Sequence, residues 1–260
     1  MALFRRKTPF RKEVEKLEKD EIRFCNSKRE KEESRLNQLL ESKIPDKLQG
    51  TLDMAFSKAF YLIFEKGTGV IEKTYNKEKI EREFKVNQYS ADINADKKSL
   101  QKFSKQAGGS GKKNLAISGA AGIGMGIIGV GLPDIPVFTT MVLKGVYEIA
   151  LNYGFEYESE EEKCFILLLI QGALSFGDEF DDINDFLNRF IESGEGLDHA
   201  DVNELIDETA KCMSGELLYM KFLQGIPVAG VIGGAYDVVY MKRITEYAEL
   251  KYRRRFLYNM

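Results

Sequence analysis

The chain has 260 residues, of which 43% are hydrophobic and 30% are charged, and its formal net charge is −3. This composition predicts a globular protein and excludes a disordered chain or a polytopic membrane protein. The near-neutral charge provides no field that attracts nucleic acid, so we expect no nucleic-acid partner. Cys25, Cys164 and Cys212 are widely spaced, and no apolar leader follows the basic start. Both features predict a protein of the reducing cytoplasm.

Residues 1–42 are predicted to be a charged helical arm outside the main domain. A helix over residues 11–43 is expected, because this range has no Gly or Pro and carries opposite charges at helical spacing, such as Glu15 and Lys19. Its apolar stripe is thin, which favours a solvated helix packed along one edge of the protein. A coiled-coil arm is the alternative.

Residues 43–260 are predicted to be a second, all-α domain, because almost no stretch alternates with the period of a β-strand. The pattern predicts a multi-helix bundle, with a loop over residues 85–97. Ser159 and Glu162 form a capping box, and Asp198 is expected to cap the helix after it. The helices are expected over residues 46–64, 70–84, 98–106, 137–153, 160–175, 177–196, 198–212 or beyond, and 237–257.

Two glycine-rich, uncharged segments stand out. Residues 114–133 contain six glycines and no charge, and they are closed by Asp134 and Pro136; residues 222–236 repeat the theme. A glycine inside a helix costs about 1 kcal/mol relative to alanine, so neighbouring helices or lipid must support such segments.

We predict that segments 114–136 and 222–236 form two close-packed glycine-rich helical hairpins. Small residues four apart allow helix backbones to approach closely. The first segment has the length of one membrane span, but glycine makes a simple span marginal, so re-entrant or interfacial hairpins are favoured. A tight hairpin buried in a soluble bundle remains open. The candidate packing and membrane residues are Ser118, Gly122, Gly126, Gly129, Asp134, Pro136, Gly230 and Gly234.

The last helix ends in a basic run, KYRRRF. Lys251, Arg253, Arg254 and Arg255 are therefore predicted to bind anionic lipid head groups. The alternative is an ordinary cationic helix end that complements the helix dipole. Residues 156–208 carry 17 acidic side chains against two basic ones, and we expect this block to face water or a basic partner.

No catalytic, cofactor or metal constellation is found. The GMGIIG run matches the dinucleotide fingerprint literally but no strand precedes it, and GGSGK lacks the spacing of a P-loop. His199 is the only histidine, and no second histidine or cysteine cluster accompanies it. We therefore expect no enzyme activity, no cofactor and no metal site.

Three runs of the sequence resemble the EcsC family: SGAAGIGMGIIGVGLPDIPVF, EIALNYGFEYESEEEKCFILLLI and GIPVAGVIGGAYDVVYMKRITEYAELKYRRRFL. The resemblance covers residues 43–257 and departs from the family at Asp237, where Asn is usual. It implies a hydrophobic, membrane-associated protein of undetermined activity, with no established catalytic residues. The founding member is encoded beside the subunits of an ABC transporter.

The sequence therefore predicts a non-catalytic helical protein that binds, or partly inserts into, the cytoplasmic face of the membrane. Anionic membrane lipids are the expected partners, with a membrane protein complex or a second copy of the chain as further candidates. Two alternatives stay open: a soluble helical adaptor whose glycine-rich segments form its core, and a pore-forming membrane protein.

Overall fold

The computed structural model describes residues 8–29, 46–66, 69–93, 96–109, 135–198, 200–224 and 233–260. Within these ranges the chain forms helices and connecting turns without any strand, which confirms the predicted all-α class and multi-helix bundle. The predicted glycine-rich hairpins fall mainly on residues 110–134 and 225–232, outside those ranges, and stay a prediction. The helices are α1 (Pro9–Arg29), α2 (Asp46–Lys66), α3 (Gly69–Glu72), α4 (Lys77–Ile93), α5 (97–109), α6 (Ile135–Asn152), α7 (Glu160–Leu174), α8 (Gly177–Ser193), α9 (Val202–Gln224) and α10 (Gly233–Tyr258).

Helix α10 occupies a central position, with contacts to α1, α6, α7 and α8. Helix α7 is buried on nearly every side, as its apolar run predicts: Phe165, Ile166 and Leu167 are fully buried, and only Leu168 of this run is partly exposed. A helix that is apolar all round must be surrounded by other elements. These two helices therefore form the middle of the bundle.

The polar chain between α2 and α6 differs from the prediction. The helix expected over residues 70–84 breaks at residues 73–76, where Thr74 Oγ1 donates to the Ile71 carbonyl and Asn76 Oδ1 accepts from the Lys79 amide at 2.8 Å. The expected loop over residues 85–97 is wrong, because α4 continues to Ile93. Its buried face includes Asn87, so the apolar pattern that marks a helix is missing there.

Helix α7 begins as predicted, with Ser159 Oγ accepting from the Glu162 amide at 3.1 Å. The cap expected at Asp198 is wrong. Asp201 precedes α9, and its Oδ1 accepts from the Asn203 amide at 2.8 Å. Leu197 is buried, so the chain first turns around this side chain and the helix starts later.

Helix α1 is packed onto the bundle and not surrounded by solvent. Leu17 and Glu13 are buried, and the helix contacts α8 and α10. Near its end, the buried Lys28 ammonium donates to the carbonyls of Ala173 and Ser175 at the end of α7. Carbonyl groups at a helix C-terminus carry partial negative charge, so they favour a cation.

Candidate functional site

Most of the small residues predicted to pack closely or to meet a membrane lie outside the described ranges. These residues are Ser118, Gly122, Gly126, Gly129, Asp134 and Gly230. Two others lie within them: Pro136 is exposed in the first turn of α6, and Gly234 belongs to the first turn of α10.

The starts of α6 and α10 lie at the same end of the bundle. A Cβ atom at Gly145 would be 3.2 Å from the Thr245 side chain, and further along the same helices the ring centroids of Tyr153 and Phe256 are 5.8 Å apart. Residue numbers rise together along this contact, so the two helices are parallel. At about 1.5 Å of rise per residue, α6 extends about 15 Å back from Gly145 to Ile135, and α10 extends about 18 Å back from Thr245 to Gly233.

The end of α9 reaches the same place. Helix α7 is antiparallel to α10. Because α9 is parallel to α7, α9 is also antiparallel to α10. The contacts that establish these directions are Glu162–Tyr252 and Gly172–Tyr247 between α7 and α10, and Cys164–Ala200 and Gln171–Thr209 between α7 and α9. Arg243 of α10 lies 3.4 Å from Glu216 of α9, a short distance before Gln224. We call this place, where Ile135, Gln224 and Gly233 lie, the entry end.

Helix α5 also runs toward the entry end. The ring centroids of Phe103 and Phe256 are 4.5 Å apart, while Gly108 lies beside the carboxylate of Glu249. Residue numbers rise along α5 as they fall along α10, so the chain leaves α5 in the direction of the entry end. Both glycine-rich segments are therefore followed by a helix that starts at the entry end, and the helices that precede them, α5 and α9, point toward this end.

The C-terminal basic run is directed into the protein. Arg253 is buried, and its guanidinium lies 2.9 Å from Glu13 Oε2 and 3.5 Å from Asp20 Oδ2, both on α1. Arg254 lies 2.9 Å from Glu21 of α1 and 2.5 Å from Glu192 of α8. Two consecutive arginines of α10 therefore form ion pairs with carboxylates of α1 and α8.

Arg255 points to a third helix. Its guanidinium lies 2.6 Å from Glu162 of α7, whose carboxylate also accepts a hydrogen bond of 2.7 Å from Tyr252 Oη. The guanidinium also stands over the ring of Phe155, 4.4 Å from its centroid. Glu162 is buried, and a buried carboxylate requires such charged and hydrogen-bonding partners.

Binding of lipid head groups by Lys251, Arg253, Arg254 and Arg255 stays a prediction, but the structure gives each of these side chains a partner of its own. All four side chains have partners within the protein, and the most exposed arginine, Arg254, shows 23% of its side chain to solvent. They therefore join α1, α7, α8 and α10, and in this arrangement they do not form a cationic surface.

A polar cleft of about 400 Å³ lies among α1, α8 and α10. It is a candidate site that sequence patterns did not identify, because its side chains come from three helices that are far apart in the chain. The signals that could have suggested it are the two asparagines four residues apart on α8 and the single lysine between two tyrosines on α10. Its polar lining includes Glu18, Glu21, Cys25, Asn184, Asn188 and Lys251.

Lys251 is the buried cation of this cleft. Its Nζ donates to Asn184 Oδ1 at 2.7 Å and to Asn188 Oδ1 at 2.5 Å, and only 1% of the residue is exposed. Burial lowers the pKa of Lys251 to about 8, because desolvation disfavours the charged form, and the Glu21 carboxylate opposes this change. A lysine held by neutral amides is unusual beside three arginines that all have carboxylates.

The described residues contain no group of His, Cys, Asp and Glu side chains arranged to hold a metal ion, and His199 lies outside them. None of the helices in the described part of the chain combines the length and the apolar character that crossing a bilayer requires.

Comparison with known proteins gives one match. No curated protein and no solved structure matches this chain. The sequence model of the EcsC protein family matches residues 10–257. The match includes α1, whereas the resemblance of the individual motifs covers residues 43–257 alone. Because the match covers nearly the whole sequence, the chain belongs to the EcsC protein family.

Proposed function

We propose that this protein is a non-catalytic, membrane-associated helical protein that contacts the cytoplasmic face of the membrane through segments 114–136 and 222–236. The observation that carries the proposal is the shared location of the chain ends. The chain returns from both segments at the entry end, at Ile135 and Gly233, and it enters the second segment there after Gln224, while α5 points toward the same end. Two uncharged segments that are joined to the same end are able to meet one flat surface together.

The amino-acid content of the two segments supports the same proposal. They hold no charged residue over residues 114–133 and 222–236, and glycine makes either one a poor isolated helix in water. Contact with lipid or with another helix would provide the support that they need. The described helices share one continuous apolar core.

The partner that we propose is membrane lipid, and a membrane protein complex or a second copy of the chain remain further candidates. The C-terminal arginines are not part of this proposal, because their carboxylate partners lie within the bundle. Any preference for anionic lipid would come from other basic groups, such as those in the opening residues 1–7.

Flotation of the full-length protein with liposomes tests the proposal. We expect the wild type to float with vesicles, and Gly122→Leu and Gly126→Leu to reduce flotation because leucine prevents close approach of helix backbones. Gly50→Leu is the matched control, because a Cβ atom at this helical glycine would meet no atom within 4 Å. A wild type that stays entirely in the soluble fraction would contradict the proposal and favour a soluble adaptor.

A pore is distinguished by the same vesicles filled with dye. If oligomers of the glycine-rich segments form a channel, the wild type should release the dye, and Gly122→Leu should not. Flotation without leakage supports association at the membrane face alone.

A further inference from the structure

We propose that the cleft among α1, α8 and α10 binds a small organic acid that carries a hydrogen-bond donor next to its carboxylate, such as an α-amino acid or an α-hydroxy acid. The carboxylate of the ligand would accept from Lys251 Nζ, and its donor group would reach Glu21 Oε1. This inference is independent of membrane association.

The first observation is that Lys251 keeps an unused hydrogen-bond donor. An ammonium group has three N–H donors. Asn184 Oδ1 and Asn188 Oδ1 accept two of them, and no carboxylate of the described residues lies within 4.0 Å of Nζ. A buried positive charge with only neutral partners is costly, so an anion that reaches Nζ gains both a hydrogen bond and an ion pair.

The contrast with three other cations of the bundle, which are buried or half-buried, is informative. Arg253 and Arg255 have carboxylates at 2.9 and 2.6 Å, and Lys28 has the carbonyl groups at the end of α7. Each of these cations has its compensating charge or dipole inside the protein. Among these cations, Lys251 is the one whose hydrogen bonds go to side-chain amides, and it lines the cleft.

The second observation concerns Glu21, which lines the same cleft. Its Oε2 lies 2.9 Å from Arg254, whereas its Oε1 is buried and has no hydrogen-bond partner among the described residues. A buried carboxylate oxygen without a donor is unfavourable, because it has lost its hydrogen bonds to water. A ligand with an N–H or O–H group that donates to this oxygen supplies the missing hydrogen bond.

The size and charge of the cleft narrow the ligand class. A volume of about 400 Å³ accommodates a small molecule. Lys251 on α10 attracts a carboxylate, while Glu18 and Glu21 on α1 attract a positive group. We therefore expect an α-amino acid, whose ammonium group faces the two glutamates, to bind more tightly than an α-hydroxy acid with the same carbon skeleton.

Binding should depend on pH through Lys251. The pKa of this amine is lowered to about 8, mainly because the side chain is buried. A bound carboxylate favours the ammonium form, so binding takes up protons near pH 8 and weakens at higher pH. The charged and titratable groups facing or flanking the amine are Glu18, Glu21 and Cys25 of α1, Asp185 of α8, and Tyr247 and Arg254 of α10.

Calorimetric titration of the full-length wild type at pH 7 and pH 10 tests the proposal, with alanine, lactate and propionate as the probes. We expect alanine to bind most tightly and propionate to bind about tenfold more weakly, because propionate offers Glu21 no donor. The affinity of propionate, which has no group that titrates between these two pH values, should fall at pH 10. Equal affinities for the three acids, or no binding of any of them, would overturn the proposal.

Three variants identify the contacts. Lys251→Met should abolish binding of all three acids, whereas Glu21→Gln should remove the advantage of alanine over propionate and leave propionate binding intact. Lys242→Met on the exposed side of α10 is the control and should bind like the wild type. If a folded Lys251→Met protein binds alanine as the wild type does, the proposal is wrong. If that variant does not fold, the ranking of acids and the pH dependence in the wild type still decide the question.

Discussion

Arg253, Arg254 and Arg255 reach different carboxylates because successive residues of a helix point about 100° apart. Arg253 faces Glu13 on α1 and Arg255 faces Glu162 on α7. Such a run appears in the sequence as one cationic patch. In a helix with neighbours on several sides, it becomes a set of separate ion pairs, each directed at a different neighbour.

Two glycines with left-handed backbone conformations separate the effect of strain from the effect of a clash. A Cβ atom at Gly154 (φ +82°) would lie 2.2 Å from the Phe84 ring, whereas at Gly177 (φ +59°) it would meet no atom within 4 Å. We expect Gly177→Ala to lower the free energy of unfolding by about 1 kcal/mol through strain alone, and Gly154→Ala by about 2–4 kcal/mol, since overpacking adds to strain. Urea denaturation measures both, and equal losses would contradict the packing of α4 against the end of α6.

Lys251 should produce a characteristic dependence of stability on pH. Its pKa is about 8 in the folded protein and 10.5 in an unfolded chain. Between these values the unfolded chain holds a proton that the folded chain has released, so this group makes the free energy of unfolding rise with pH. Relative to Lys251→Met, the wild type should gain on the order of 3 kcal/mol from pH 8 to pH 10.5. A constant difference between the two proteins over this range would show that the amine is not desolvated.

At the scale of the helices, charged side chains attach α1 to the bundle. Leu17 is its main fully buried apolar residue, while Glu13 and Lys28 are buried polar contacts with α10 and with the end of α7. Buried ion pairs are strongly destabilised when one partner is removed, because the other charge remains without water. The position of α1 therefore depends on Arg253.

We expect Arg253→Met to lower the free energy of unfolding by about 3–5 kcal/mol, because Glu13 stays buried without its cation. Lys242→Met is the matched control on the same helix: its pair with Glu246 is exposed, so the loss should be under about 1 kcal/mol. Urea denaturation gives the two values, and hydrogen exchange should show faster opening of residues 9–29 in Arg253→Met. Similar values for the two variants would mean that the Arg253–Glu13 pair is not important for α1.

The helices that the sequence predicts well are those whose apolar residues are also their buried residues. The apolar run of α7 and the capping box at Ser159 predicted that helix within one residue. Helix α4 was predicted only in part, because its buried face includes Asn87, whose amide donates to Gln106 Oε1 at 2.6 Å. A polar pair of this kind interrupts the apolar periodicity of α4.

The polar cleft could not be predicted for a different reason. Lys251 and Asn184 are 67 positions apart in the sequence, and only the packing of α8 against α10 brings them together. The same applies to Arg253 and Glu13, which lie at opposite ends of the chain. Local spacing contains no information on such pairs, so a basic run is easily interpreted as a surface.

At the scale of the whole molecule, the charged helices of the bundle differ in composition from the two uncharged, glycine-rich segments. The described helices bury a continuous apolar core and use carboxylates to satisfy the basic residues of α10. The chain returns from both glycine-rich segments at the entry end. In our account the bundle is a rigid support, and the segments at its entry end are the parts that contact the membrane.

Hydrogen–deuterium exchange of the wild type with and without vesicles tests this account most directly, because it locates the contact without any substitution. We predict slower exchange on vesicles in peptides that cover residues 110–134 and 225–232, and unchanged exchange in α7 and α8. Protein that binds vesicles with no change in either glycine-rich segment would contradict the account, as would protection confined to the C-terminal half of α10.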